Sequence, residues 1–138
     1  ADAIRTADAN PAAFGVVRGA LAELQSIAVR RSDAGIASTV DALVGECRAV
    51  RQRAYALMED GGPREDRLAL RARSLDLAVQ ATTAVVVARA GAAMRRGHAA
   101  ERRVREAMFL LVQAQTADTR AASLALLADR ASSGSDVA

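Results

Sequence analysis

The stretch REDRLALRARSLDLAVQATTAVVV, residues 64–87, decides the fold. Leu68, Ala72, Leu75, Val79, Thr82 and Val86 recur at steps of three and four, so they share one face of a helix. Leu70, Leu77, Ala81, Ala84, Val85 and Val87 lie off that face. A helix apolar on several faces must be covered on several faces. It is therefore the centre of a helical bundle, or a helix covered by another subunit. Its expected span is about 64–94.

Upstream, EDGGP at 59–63 stops a preceding helix, because glycine supplies a left-handed cap and proline blocks continuation. That helix begins after Ser32 or Asp33. Ile36, Val40, Leu43, Cys47, Val50, Ala54 and Leu57 form its sustained stripe, the pattern of nearly antiparallel helix packing. Before it, Asn10-Pro11 opens a first helix carrying Phe14, Val17, Leu21, Leu24 and Ala28, which ends near Arg30-Arg31.

Downstream, RRGHA at 95–99 reads as a turn. A fourth helix over about 99–112 has Val104, Ala107, Met108, Leu111 and Val112 as its apolar side. After a break at 113–116, a fifth over about 117–130 is built on Ala121, Leu124, Leu127 and Ala128. No segment reads as a strand. The expected class is all-α: an up-and-down four-helix bundle with an extra short C-terminal helix. Residues 1–131 form one domain, and 132–138 a polar, disordered tail.

The composition narrows the function classes. All 19 basic residues are arginine against 16 acids, a net charge of +3. That balance does not describe a polyanion binder, so no nucleic-acid partner is expected. The only aromatic residues are Phe14, Tyr55 and Phe109, and small side chains suit close helix packing. A single cysteine, Cys47, and a single histidine, His98, argue against a disulfide or a His/Cys metal centre. Cys47 lies on an apolar stripe and reads as a small core residue. The longest apolar run, Ala81 to Ala88, is too short to span a bilayer. The expectation is a cytoplasmic protein with no membrane partner. The first residues, ADAIRTADAN, lack an initiating Met, the sign of a processed chain or a fragment.

Chemistry-bearing residues concentrate in ERRVREAMFLLVQAQT, 101–116. Glu101–Arg105 and Arg102–Glu106 are i,i+4 pairs that support an exposed helix. Arg102 and Arg105 also share a face that suits a carboxylate from a neighbouring helix, or a ligand phosphate.

The region from about 64 to 130 resembles the C-terminal helical domain of the acyl-CoA dehydrogenases, FAD-dependent flavoproteins that oxidise acyl-CoA thioesters. AGAAM (90–94) stands at that family's glycine turn, AAERRVREA (99–107) at its Arg-x-x-Arg-Asp-Ala motif, and AQT (114–116) at Glu-Gly-Thr. Gly91, Arg102, Arg105 and Thr116 match, and the resemblance implies cofactor contacts for these four. Glu106 replaces Asp. Ala90, Ala93 and Met94 replace the other turn residues, and the added methyl groups would hinder approach to a flavin pyrophosphate. Ala114 stands at the usual glutamate position and cannot be a base, so no catalytic residue is assigned. Some members place the base on the first bundle helix, where Glu23 is the only acid well inside. If the chain is active, its base must be found among Glu23, Glu46 and Asp118.

The resemblance implies a C-terminal domain of an acyl-CoA-dehydrogenase-like oxidoreductase. Such a domain contributes flavin contacts and homo-oligomer assembly, with acyl-CoA as substrate of the parent protein. The isolated chain is expected to be inactive, with weak FAD binding at most. The alternative is a non-catalytic helical assembly module, whose interface includes the third and fifth helices.

Overall fold

The computed structural model describes residues 7–89 and 98–135. These are all-helical, without a strand: α1 (Pro11–Arg31), α2 (Ala34–Asp60), α3 (Arg64–Arg89), α4 (Ala99–Val112) and α5 (Ala117–Ser135). The expected extension of α3 to 94 and the RRG portion of the turn, 95–97, lie outside the described residues. α5 runs to Ser135, past the expected end at 130, so Ser132 and Ser133 are helical and not tail.

Local signals set the helix ends. Asn10 accepts the Ala12 N–H at 3.0 Å, and Pro11 occupies the first turn, where its missing N–H costs nothing. Asp33 accepts the Ile36 N–H at 3.0 Å and caps α2. Gly61 closes α2 at φ 63°, a left-handed conformation that glycine adopts without strain.

α3 is buried on several faces, as its sequence demands, while Ala69, Arg73, Thr83 and Val87 leave one face exposed. It packs against α1, α2, α4 and α5, and its buried residues include Leu70, Leu75, Leu77, Ala78, Ala81 and Val85. Leu75 and Leu77 point to different sides, and each contributes roughly 1.5–3 kcal/mol by leaving water. Two hydroxyls sit in this core without cost. Ser74 Oγ donates to Arg71 O at 2.7 Å and Thr82 Oγ1 to Ala78 O at 2.8 Å, so the helix's own carbonyls satisfy them.

Contacts between helix ends give the directions. Asp8 pairs with Arg67 at one end, and Arg31 Nη1 donates to Ala88 O at 2.9 Å at the other, so α1 and α3 run parallel. The Phe14 and Tyr55 rings, 6.4 Å apart, join the start of α1 to the end of α2, which is antiparallel to it. Arg71 Nη2 donates to Gln113 O at 3.4 Å, placing the end of α4 beside the start of α3. Arg64–Asp118 and Asp76–Arg130 are both separated by 54 residues, so α5 follows α3 in parallel and constant register.

The rotations of α4 and α5 differ from expectation. α4 turns Ala100, Ala107 and Leu110 inward, while Met108 and Val112 are about 49% and 69% exposed. α5 turns Thr119, Ala122, Ser123 and Leu126 towards α3. Ala121, Leu124, Leu127 and Ala128, the expected inner face, are exposed instead. Ion pairs at two points along α3 accompany this rotation of α5, which leaves two leucines and two alanines of the expected stripe outside.

Candidate functional site

α4 divides the arginine cluster between its two faces. Arg103 turns inward, on the same side as Ala100, Ala107 and Leu110, because residues three and four apart share a face. Its Nε donates to Glu23 Oε2 of α1 at 2.9 Å. Arg89 of α3 completes the cluster, with Nη2 donating to Glu23 Oε1 at 2.8 Å. Burial pushes the Glu23 carboxyl up. The hydrogen bonds and charges of Arg89 and Arg103 outweigh that and hold it below the usual carboxylate range. The neighbouring-helix carboxylate is held by Arg103 and not by the expected face of Arg102 and Arg105. The available signal was Gly19, one turn before Glu23: a Cβ there would meet Arg103 Nη1.

Arg102 and Arg105 face outward. With Glu106, Phe109 and Leu110 of α4 and Ala12 and Val16 of α1, they line an open groove of about 750 Å³. Arg105 reaches Glu101 at 3.6 Å and is otherwise well exposed, the geometry of a weak surface pair. Phe109, about 59% exposed, lines the same groove as the two arginines. This groove can grip an anion that carries an apolar or planar body.

Thr116 does not join that groove. It caps α5: its Oγ1 accepts the Thr119 N–H at 3.2 Å, and its own N–H donates to Thr119 Oγ1 at 2.8 Å. Ala114, in the same turn, is held at φ 52°, which costs a non-glycine residue roughly 1–2 kcal/mol. Gly91 lies outside the described residues. Two of the four residues matched to the family's cofactor contacts are therefore brought together, and a third has a local structural role.

None of the three acids considered as a base stands unpaired. Glu23 is closed between two arginines, Glu46 is paired with Arg73, and Asp118 with Arg64. Cys47 lies half-buried among core residues, and burial pushes its thiol up against a smaller opposing pull from Arg51 and Arg18. That environment suits a core residue and not a thiolate nucleophile. Among the described residues, no group of three His, Cys, Asp or Glu side chains is arranged to hold a metal ion. α1 is long and apolar enough to cross a bilayer by length and composition, but Val17, Leu24 and Ile27 face the core.

One buried charge escaped the sequence reading. Arg71 is only 5% exposed and has no carboxylate partner among the described residues. It donates to the carbonyls of Asp8 and Gln113, its Nε is without a partner, and burial pulls its guanidinium below the ordinary value. Nothing in the heptad pattern marks it, because position 71 falls between two apolar stripes.

No protein-family model, no curated protein and no solved structure matches this chain.

Proposed function

We propose that this chain is a C-terminal helical domain of an acyl-CoA-dehydrogenase-like flavoprotein, an up-and-down bundle of α1–α4 with α5 added. In this reading it supplies arginine contacts and an assembly surface, while other parts of the parent protein supply the base. The observation that carries the reading is the outward pair Arg102 and Arg105, set beside Phe109 on the apolar groove between α1 and α4. Two guanidinium groups with bidentate donors match a diphosphate, and the ring and Leu110 offer an apolar wall.

The residues fit the diphosphate end of FAD and not its reactive ring. Glu106 shares the groove and opposes an anion, which weakens the contact. Ala114 brings no carboxylate, and Glu23 is held by Arg89 and Arg103. FAD, when bound in such a protein, supplies the electron acceptor. The residues here would hold its phosphates and exclude water beside them.

The test is titration of the purified chain with FAD, followed by flavin fluorescence, at low and high salt. The expected result is a colourless protein with weak, salt-sensitive binding that Arg102→Ala/Arg105→Ala abolishes. Binding that survives in that double variant would overturn the assignment, as would a yellow protein that bleaches with an acyl-CoA.

A second reading, a non-catalytic helical assembly module, is favoured by Met108, Phe109, Val112, Leu124 and Leu127, all exposed on α4 and α5. Apolar surface of this kind is covered in assemblies. Light scattering on the purified chain, with Leu124→Asp and Phe109→Asp, separates this reading from a monomeric domain.

A further inference from the structure

Each described helix with a side-chain N-cap uses a different acceptor, and one of them is a nitrogen. Asn10, Asp33 and Thr116 cap α1, α2 and α5 with oxygen. α4 is capped by His98, whose backbone is extended at φ −65°, ψ 143° and whose Nδ1 accepts the Ala100 N–H at 3.0 Å. Only a neutral imidazole can do this. A protonated ring has an N–H at both nitrogens and accepts nothing. It would also place a positive charge at the positive end of the helix dipole. Both effects act against the first turn of α4.

That turn is built into the fold. Ala100, the residue whose N–H is capped, is fully buried in the main core. One turn later Arg103 is bound to Glu23, and Arg102 lies on the outward groove. Loosening the first turn therefore disturbs both the core seat of α4 and the presentation of Arg102.

We propose that His98 makes the seating of α4 pH-sensitive, firm when the imidazole is neutral and loosened in its first turn when it is protonated. Charged groups among the described residues bear on the balance. Glu101, in the same turn, favours the imidazolium, although it already reaches Arg105. Arg102, four residues on, opposes it. From the packed helices, Glu23 of α1 and Arg89 of α3 close with Arg103 into a cluster of one acid and two bases further along α4.

The inference is independent of any flavin contact. The experiment is thermal unfolding by circular dichroism at pH 8 and pH 5.5 for the unmodified chain and His98→Asn, whose amide oxygen caps without titrating. Loss of an N-cap lowers Tm by about 3–5 °C for a chain of this size. The unmodified chain should lose that much more than His98→Asn over the interval. His98→Ala should already show the loss at pH 8. In parallel, amide exchange at Ala100–Arg103 should lose protection at pH 5.5 relative to Val17–Leu24 in the unmodified chain. Equal Tm losses in the unmodified chain and His98→Asn, or unchanged relative protection at Ala100–Arg103, would overturn the proposal.

Discussion

Arg103 of α4 and Glu23 of α1 are 80 residues apart in sequence and meet at 2.9 Å, with Arg89 on the carboxylate's other oxygen. This contact fixes the rotation of α4. With Arg103 drawn inward, Ala100, Ala107 and Leu110 enter the core, and Arg102, Arg105 and Phe109 face out.

Glu23→Gln removes the charge but keeps the shape. Two partly buried guanidinium groups then lose their shared anion, at an expected cost of about 1–2 kcal/mol in urea unfolding. The native carboxyl is held below the usual range, so its contribution is present above the ordinary carboxylate range and is lost as pH falls through it. The stability of Glu23→Gln should therefore approach that of the unmodified chain in acid.

Gly19→Ala tests the same contact from below. The new methyl group would meet the flexible end of Arg103 and displace it from Glu23. The gain in helix propensity is close to 1 kcal/mol, so the single variant should be near neutral. In the Glu23→Gln background there is no pair left to break, and Gly19→Ala should stabilise by about 0.5–1 kcal/mol. A double-mutant cycle measures the difference, and strict additivity would contradict the geometry.

Arg71→Met removes a buried cation that has no anionic partner among the described residues. Replacing such a charge with an apolar chain of similar length is close to neutral, so stability should change by less than about 1 kcal/mol. The bonds to Asp8 O and Gln113 O disappear, so amide exchange around 113–116 should accelerate. A loss of several kcal/mol would show that the carbonyl contacts outweigh the burial cost.

Ala114→Gly relieves a left-handed residue at φ 52°. Removing that strain outweighs the added freedom of glycine in the unfolded chain, and stability should rise by about 0.5 kcal/mol. Chemical denaturation with an unchanged m-value is the measurement.

The sequence by itself determined the helical class, the cap at Asn10, the glycine stop in EDGGP and the burial of α3 on several faces; it left Ser32 and Asp33 both open as the cap of α2. These signals are local: a cap acts within one turn, and an apolar residue at every third or fourth position needs no knowledge of its neighbours. For α1 they were also enough to choose the buried face, because Phe14, Val17, Leu21 and Leu24 make one narrow stripe. α4 and α5 carried no such choice. Val104, Ala107, Met108, Leu110, Leu111 and Val112 cover much of the circumference of α4, and Leu124, Leu126 and Leu127 of α5 lie on more than one face, so neither pattern favours one rotation. Only the tertiary structure decided those rotations, through Glu23 on α1 and through Arg64 and Asp76 on α3. The candidate site inherits that division. The arginine cluster was visible in the chain, but which arginine turns to the core and which two remain on the groove depends on a carboxylate a helix away.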